Sequence, residues 1–283
     1  MYEIVDIKDI NELYNFQTKL NIPYMFHVDF EEWKRSMFYD IDGEGRTLFK
    51  TLYTKGIYLK EKLVGYIQYG KTAFGFNREG EISNEVSHSV IRSLYFEKHD
   101  IDIGASLIEY ALKELKETER IYAFFHYFGM SCYARHGKLF ESLEYIKNLL
   151  MKYGFVIEHE NIYYSSKIEK EENNEIQINW KGLTKGQQQY CDFILDNTCV
   201  GGCEVHFLKQ KEIAYLRWIF INEEFKNKGI GSKCLKSLKY NLYKKGIRRF
   251  DTDTALNNIV AQHYYEKNNF KKEGITRSFF LDL

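Results

Sequence analysis

Phe220-Ile221-Asn222-Glu223-Glu224-Phe225-Lys226-Asn227-Lys228-Gly229-Ile230-Gly231-Ser232 decides how this chain is read. The apolar run Ile219 to Ile221 reads as a buried strand, and Leu235, Leu238 and Leu242 recur at helical spacing beyond the turn. A strand, a small-residue turn and a helix start gather several free backbone N–H groups at one point. The positive end of the helix dipole lies there too, which suits a phosphate. Gly229 and Gly231 let the backbone approach an anion closely, and Lys226 and Lys228 add charge. The expected ligand carries a pyrophosphate.

The glycine spacing excludes two common phosphate loops. A Walker loop ends in Gly-Lys-Ser/Thr, whereas Gly231 is followed by Ser232-Lys233. A dinucleotide fingerprint places a third glycine where Cys234 stands. Further on, the run from Arg249 to Thr254 reads as a short strand, and the run from Asn257 to Phe270 as a helix. In that helix Asn258, Ala261 and Tyr265 share one face. On its own this is equally the pattern of an amphipathic helix with core aromatics.

Taken together, Lys226-x-x-Gly229-x-Gly231 and then Asn258-x-x-Ala261-x-x-x-Tyr265-Glu266-Lys267-x-x-Phe270 resemble the GNAT superfamily of acyl-CoA-dependent N-acyltransferases, over residues 190–283. Two departures are mild. Lys226 stands where the family has Gln or Arg, keeping charge without the fork geometry. Asn269 stands where the family has Gly, and Asn tolerates a left-handed helix end. The resemblance implies an α/β (α+β) fold, a mixed, mostly antiparallel twisted sheet flanked by helices, and acetyl-CoA as co-substrate. It implies that Ile219, Phe220 and Ile221 offer backbone groups to the pantetheine arm. Asn227, Lys228, Gly229, Ile230, Gly231 and Ser232 would wrap the pyrophosphate beside Lys226. Asn258 would bond the pantetheine amides, Ala261 would leave room for them, and Lys267 joins the cofactor-binding set. Tyr265 would protonate the departing thiolate, with direct transfer and no covalent intermediate.

The general base is open. Asp253 ends the strand before the motif helix, where some relatives carry a catalytic carboxylate, and Asp251 alternates onto the same face. Relatives often have a carboxylate on the strand before the loop; here Arg217 and Trp218 stand there, which leaves Glu204, His206 or water. His263 follows the helix register and reads as a surface or packing histidine.

Composition bounds the alternatives. The 283 residues hold 40 basic and 40 acidic side chains, so electrostatically driven nucleic-acid binding is disfavoured. No 18-residue apolar run marks a membrane span, and the acidic start lacks a signal-peptide pattern. Cys132, Cys191, Cys199, Cys203 and Cys234 form no paired metal-binding spacing, so neither a metal site nor a disulfide framework is expected. A cytoplasmic protein is the simplest reading. The Lys/Asn/Ile-rich, proline-poor usage is compatible with an AT-rich bacterial genome.

The length is that of two moderate domains. Residues 168–175 are polar and read as a linker between domains 1–167 and 176–283. The first half shows helical patterns at 10–17, 30–38, 103–115 and 139–153. Its strand patterns fall at 51–59, 63–69, 90–96, 121–127, 156–160 and 162–167. The second half opens with strands at 191–195, 202–208 and 214–221, turning at Asp196-Asn197 and at Lys209-Gln210-Lys211. It leaves little room for two opening helices. The halves read as a distant repeat in which the first copy is degenerate. Asp102 replaces the first glycine, Asp100 adds a second carboxylate, and Met151 stands where the phenol would be. The expected activity is acetyl transfer to an amine of a small molecule or peptide. The alternatives are a non-catalytic acyl-CoA-binding or regulatory module, and transfer of a larger acyl or aminoacyl group. No motif marks the acceptor.

Overall fold

The computed structural model describes residues 3–26, 28–76, 81–116, 119–173, 175–185, 187–208 and 212–283. The chain divides into two compact units. Unit 1 comprises Met1–Ile41, Arg46–Glu160 and Thr276–Leu283, and unit 2 comprises Asp42–Gly45 and Asn161–Ile275. The cuts thus fall at 41/42, 45/46, 160/161 and 275/276, and the polar segment 168–175 lies within unit 2. It is no free tether, because Ile168 at its start and Ile176 just beyond it are buried in that unit's core.

Along the first half run β1 (Glu3–Asp6), α1 (Ile10–Thr18), α2 (Phe30–Phe38), β2 (Phe49–Leu59) and β3 (Lys62–Thr72). Then come β4 (Gly75–Phe76), β5 (Ile82–Ser83), β6 (Ser89–Phe96), α3 (Ile101–Glu114), β7 (Arg120–Ala123), β8 (Leu139–Phe140) and α4 (Glu144–Lys152). Asp9 and Asp29 cap α1 and α2 by accepting from Asn11 N and Glu32 N. The second half follows with β9 (Val156–Lys167), β10 (Gln177–Leu183), β11 (Gln188–Leu195), β12 (Thr198–Leu208) and β13 (Ile213–Ile221). It closes with α5 (Ile230–Lys244), β14 (Arg249–Ala255), α6 (Ile259–Lys267) and β15 (Lys271–Asp282).

Three local expectations are corrected. Strand β7 stops at Ala123 because Phe124 turns into the left-handed region at φ 54°. Leu139 and Phe140 form no helix; they pair as a strand with Arg277 and Thr276, partners far along the chain. The two strands read at 156–160 and 162–167 are one, β9, which gives its first residues to unit 1 and the rest to unit 2. Strand β15 is divided in the same way. The turn at Asp196-Asn197 forms as expected, both residues at positive φ (48° and 63°), while the turn at Lys209-Gln210-Lys211 lies outside the described residues.

Within unit 1 the strands are ordered β1-β2-β3-β6-β7-β15-β9, and within unit 2 β15-β9-β14-β13-β12-β11-β10. Most pairings are antiparallel; β6 with β7 and β13 with β14 are parallel. The core of unit 2 joins Val205, Leu216 and Phe250 of the sheet to Leu235, Leu238 and Leu242 of α5 and to Tyr265 of α6. No helix among the described residues is long and apolar enough to cross a membrane.

Candidate active site

Strands β13 and β14 run parallel only from Ile213↔Arg249 to Leu216↔Thr252. Beyond that fork β14 stays with β9, and β13 stays with β12. Residues 217–221 therefore have a ladder on one edge and, among the described residues, no strand on the other. An exposed edge of this kind can accept an extended ligand arm as an added strand. A β-bulge sits at the fork. Glu204 pairs with Trp218 but Val205 pairs with Leu216, so Arg217 is the extra residue. The bulge flips the alternation and sets Trp218 and Phe220 on the sheet face of Glu204, while Ile219 and Ile221 pack toward α5.

The chain then passes through Asn227 (φ 60°) and Gly229 (φ 77°) into α5. Gly229 is the N-cap, has no side-chain cap bond, and no acidic residue stands in the first turn. The N–H groups of Ile230, Gly231 and Ser232 accordingly point out of an uncapped helix start. Gly231 lies close to neighbouring side chains: a Cβ there would sit 3.3 Å from Tyr264 and 3.4 Å from Ile221. Tyr264 Oη donates to Gly231 O at 2.8 Å, and Asn268 Nδ2 donates to Ser232 Oγ at 3.2 Å, so α6 fixes the loop. The two lysines are exposed, and Lys226 is ion-paired to Glu223.

Asn258 lies at the N-cap of α6, outside the helix, and its Oδ1 accepts from Ala261 N at 3.1 Å. Its carbonyl is thereby committed, and Nδ2 is the half left to meet an amide carbonyl. Lys267 lines a cavity of about 550 Å³ with Lys236 and Lys239, and none of residues 226–232 lines that cavity. Tyr265 is 5% exposed. Its phenol is hydrogen-bonded to Thr252, whose own proton goes to Leu216 O at 3.0 Å, which sets the phenol at the fork. Burial, joined by the Asp253 charge, pushes the Tyr265 phenol above its ordinary value.

Asp253 follows Thr252 and projects to the opposite face. Its carboxylate accepts from Tyr215 Oη and from Asn161 Nδ2, the latter at 2.7 Å. Asp251 is fully buried between Arg249 Nε (2.8 Å) and Tyr163 Oη (2.7 Å), and burial raises its pKa to about 6. It serves an internal ion pair. His263 is exposed. Glu204, buried on β12, accepts from Trp218 Nε1 at 2.7 Å.

Residues 153–270 match the Acetyltransferase (GNAT) family. Residues 153–270 form a GNAT domain, and the whole chain has the fold of tandem GNAT structures. Solved GNAT structures repeat the fold over the whole length. One is the glucosamine N-acetyltransferase region of a fungal multi-domain beta-N-acetylglucosaminidase, at TM-score 0.68 and 9% identity. That likeness covers 99% of this chain and 38% of the fungal one. A tandem GNAT protein from the clavulanic acid biosynthesis pathway aligns at TM-score 0.67 and 9% identity, over 100% of this chain and 98% of that one. A GNAT protein of Sphaerobacter thermophilus aligns at TM-score 0.64 and 8% identity, over 99% and 95%. No curated protein matches. The family supports acyl transfer as the class of chemistry.

The two copies of the fold differ at the equivalent clefts. In unit 1, β6 and β7 also part after a short parallel ladder, at Ile91↔Ala123. There α3 packs tightly on the strand: a Cβ on Gly104 would meet the Phe96 ring at 2.3 Å. Tyr145 Oη donates to Phe96 O at 2.9 Å, closing the end of the strand. Asp102 stands in the first turn of α3. Unit 1 also brings His126, Glu158 and His159 within 4.8 Å of one another, but the charges of Arg120 and Lys138 act on Glu158 and oppose a cation there. The reading of single motifs missed Tyr264, Thr252, Tyr215 and Asn161. Each acts on a motif residue across strands or helices, and only β-strand alternation at Tyr215 gives any local sign.

Proposed function

We propose that unit 2 moves an acetyl group from acetyl-CoA to a primary amine of a small molecule or peptide, by direct transfer. The observation that carries this is the fork at Leu216/Thr252, with a free strand edge, an uncapped helix start and the Tyr265 phenol at one point. These features suit a CoA thioester on two counts: N–H groups for a pyrophosphate and a strand edge for a pantetheine arm. When bound, such a thioester supplies an activated acyl group with a thiolate leaving group.

The residues of the chain then divide the proton work. Residues 219–221 orient the arm by backbone bonds, and Ile230, Gly231 and Ser232 hold the anion. Tyr265 keeps its proton at neutral pH, because burial raises its pKa, and delivers it to the leaving sulfur. Asp253, on the other face, takes the proton of the amine while Tyr215 and Asn161 hold its carboxylate in place.

Replacing Tyr265 with Phe keeps the packing and removes the acid. The expected result is a fall in kcat of about 10²–10⁴-fold with acetyl-CoA affinity within about threefold of wild type. Unchanged kcat would reduce Tyr265 to a packing residue and remove the proposed mechanism.

A further inference from the structure

On the face of unit 2 opposite α5 and α6, the bulge places Trp218 and Phe220 beside Tyr190 of β11. The rings form a row, with centroids 6.0 Å apart for Tyr190–Trp218 and 5.7 Å for Trp218–Phe220. All three are strongly exposed for their size, at 40%, 42% and 49% respectively. Beneath them lies Glu204, 7% exposed, held by Trp218 Nε1 at 2.7 Å and hydrogen-bonded to Tyr190. Trp218 and Phe220 belong to the same strand segment, 217–221, whose open edge faces the fork. An apolar surface with a fixed carboxylate under it therefore borders the transfer point.

We infer that this row is the acceptor subsite, and that the acceptor is a primary monoamine carried on a flat apolar body. The inference rests on the acetyltransferase reading above. Ring faces attract both a flat apolar body and an ammonium group, and the Glu204 carboxylate complements one positive charge. A polyamine would present several ammonium groups to the single carboxylate, Glu204, that Trp218 holds beneath the rings. An amino acid would bring its own carboxylate toward Glu204.

The test uses the full chain and 2-phenylethylamine, spermidine and phenylalanine as probes, with two readouts. Calorimetric binding of 2-phenylethylamine is expected at one site, weakened about tenfold by Trp218→Ala and by Glu204→Gln, with acetyl-CoA affinity unchanged in both. Acetyl transfer is expected to favour 2-phenylethylamine over the other two probes, with the same variants raising KM more than they lower kcat. Preference for spermidine or phenylalanine, or binding indifferent to both variants, overturns the acceptor assignment and leaves the transferase reading standing. Binding at the row with no transfer to any amine overturns the transferase reading, and the acceptor role with it.

Discussion

Lys239 sits in the middle of α5 with its Nζ donating to Ser166 Oγ at 2.8 Å and to Asn268 O at 2.7 Å, 4.5 Å from the centroid of Phe270. Burial pushes its pKa down to about 8. A lysine in the unfolded chain keeps its proton to its ordinary value of about 10.4, so between these limits the unfolded state binds more protons. The contribution of this residue to stability therefore rises with pH across that window. Urea unfolding of wild type and Lys239→Met at about pH 7 and about pH 9.5 checks this. The wild type should gain stability relative to the variant at the higher pH, and parallel changes in both proteins would contradict the assignment. The site side chains were legible to different degrees. Tyr265 and the two loop glycines stand in the sequence as a spaced motif. The partners that aim them, Thr252, Tyr264 and Tyr215, come from other elements and leave no trace in local spacing.

The N-terminus of α5 separates two kinds of glycine. A Cβ at Gly229 would meet nothing within 4 Å, yet its φ is +77°. Only the left-handed backbone calls for glycine there. Gly229→Ala should lower stability by about 1 kcal/mol, and Gly229→Asn by less, as read from denaturation midpoints. Equal midpoints for wild type and Gly229→Ala would show that the loop relaxes to another conformation. The same element explains what pattern reading captured. α1, α2, α5 and α6 announce themselves by apolar spacing. It failed where pairing partners are remote in sequence. Leu139 and Phe140 look helical until Thr276 and Arg277 claim them as a strand. Strand β10 went unread because its apolar residues, Ile178 and Trp180, are only partly covered by the core and the strand carries a bulge.

For the whole chain, the two copies of one fold predict unequal ligand binding. Neither α5 nor α3 has a side-chain cap bond, but the first turn of α5 holds no acidic residue whereas Asp102 puts a negative charge in the first turn of α3, and the Phe96 ring packs against Gly104. The acidic start of α3 stands in the sequence, but the packing of the Phe96 ring against Gly104 leaves no sign there. The exchange of strand ends between units was equally hidden, because one uninterrupted strand, β9, serves both. The central claim is that unit 2 alone holds the cofactor, and calorimetric titration of acetyl-CoA into wild type and Gly231→Glu tests it most directly. A glutamate at position 231 would press on Tyr264 and Ile221, which lie 3.3 Å and 3.4 Å from its Cβ, and would put a negative charge in the first turn of α5; circular dichroism verifies that the variant is folded. One site per chain, abolished by the substitution in a folded protein, is the predicted result. Two sites per chain, or a single site that survives Gly231→Glu, would contradict it.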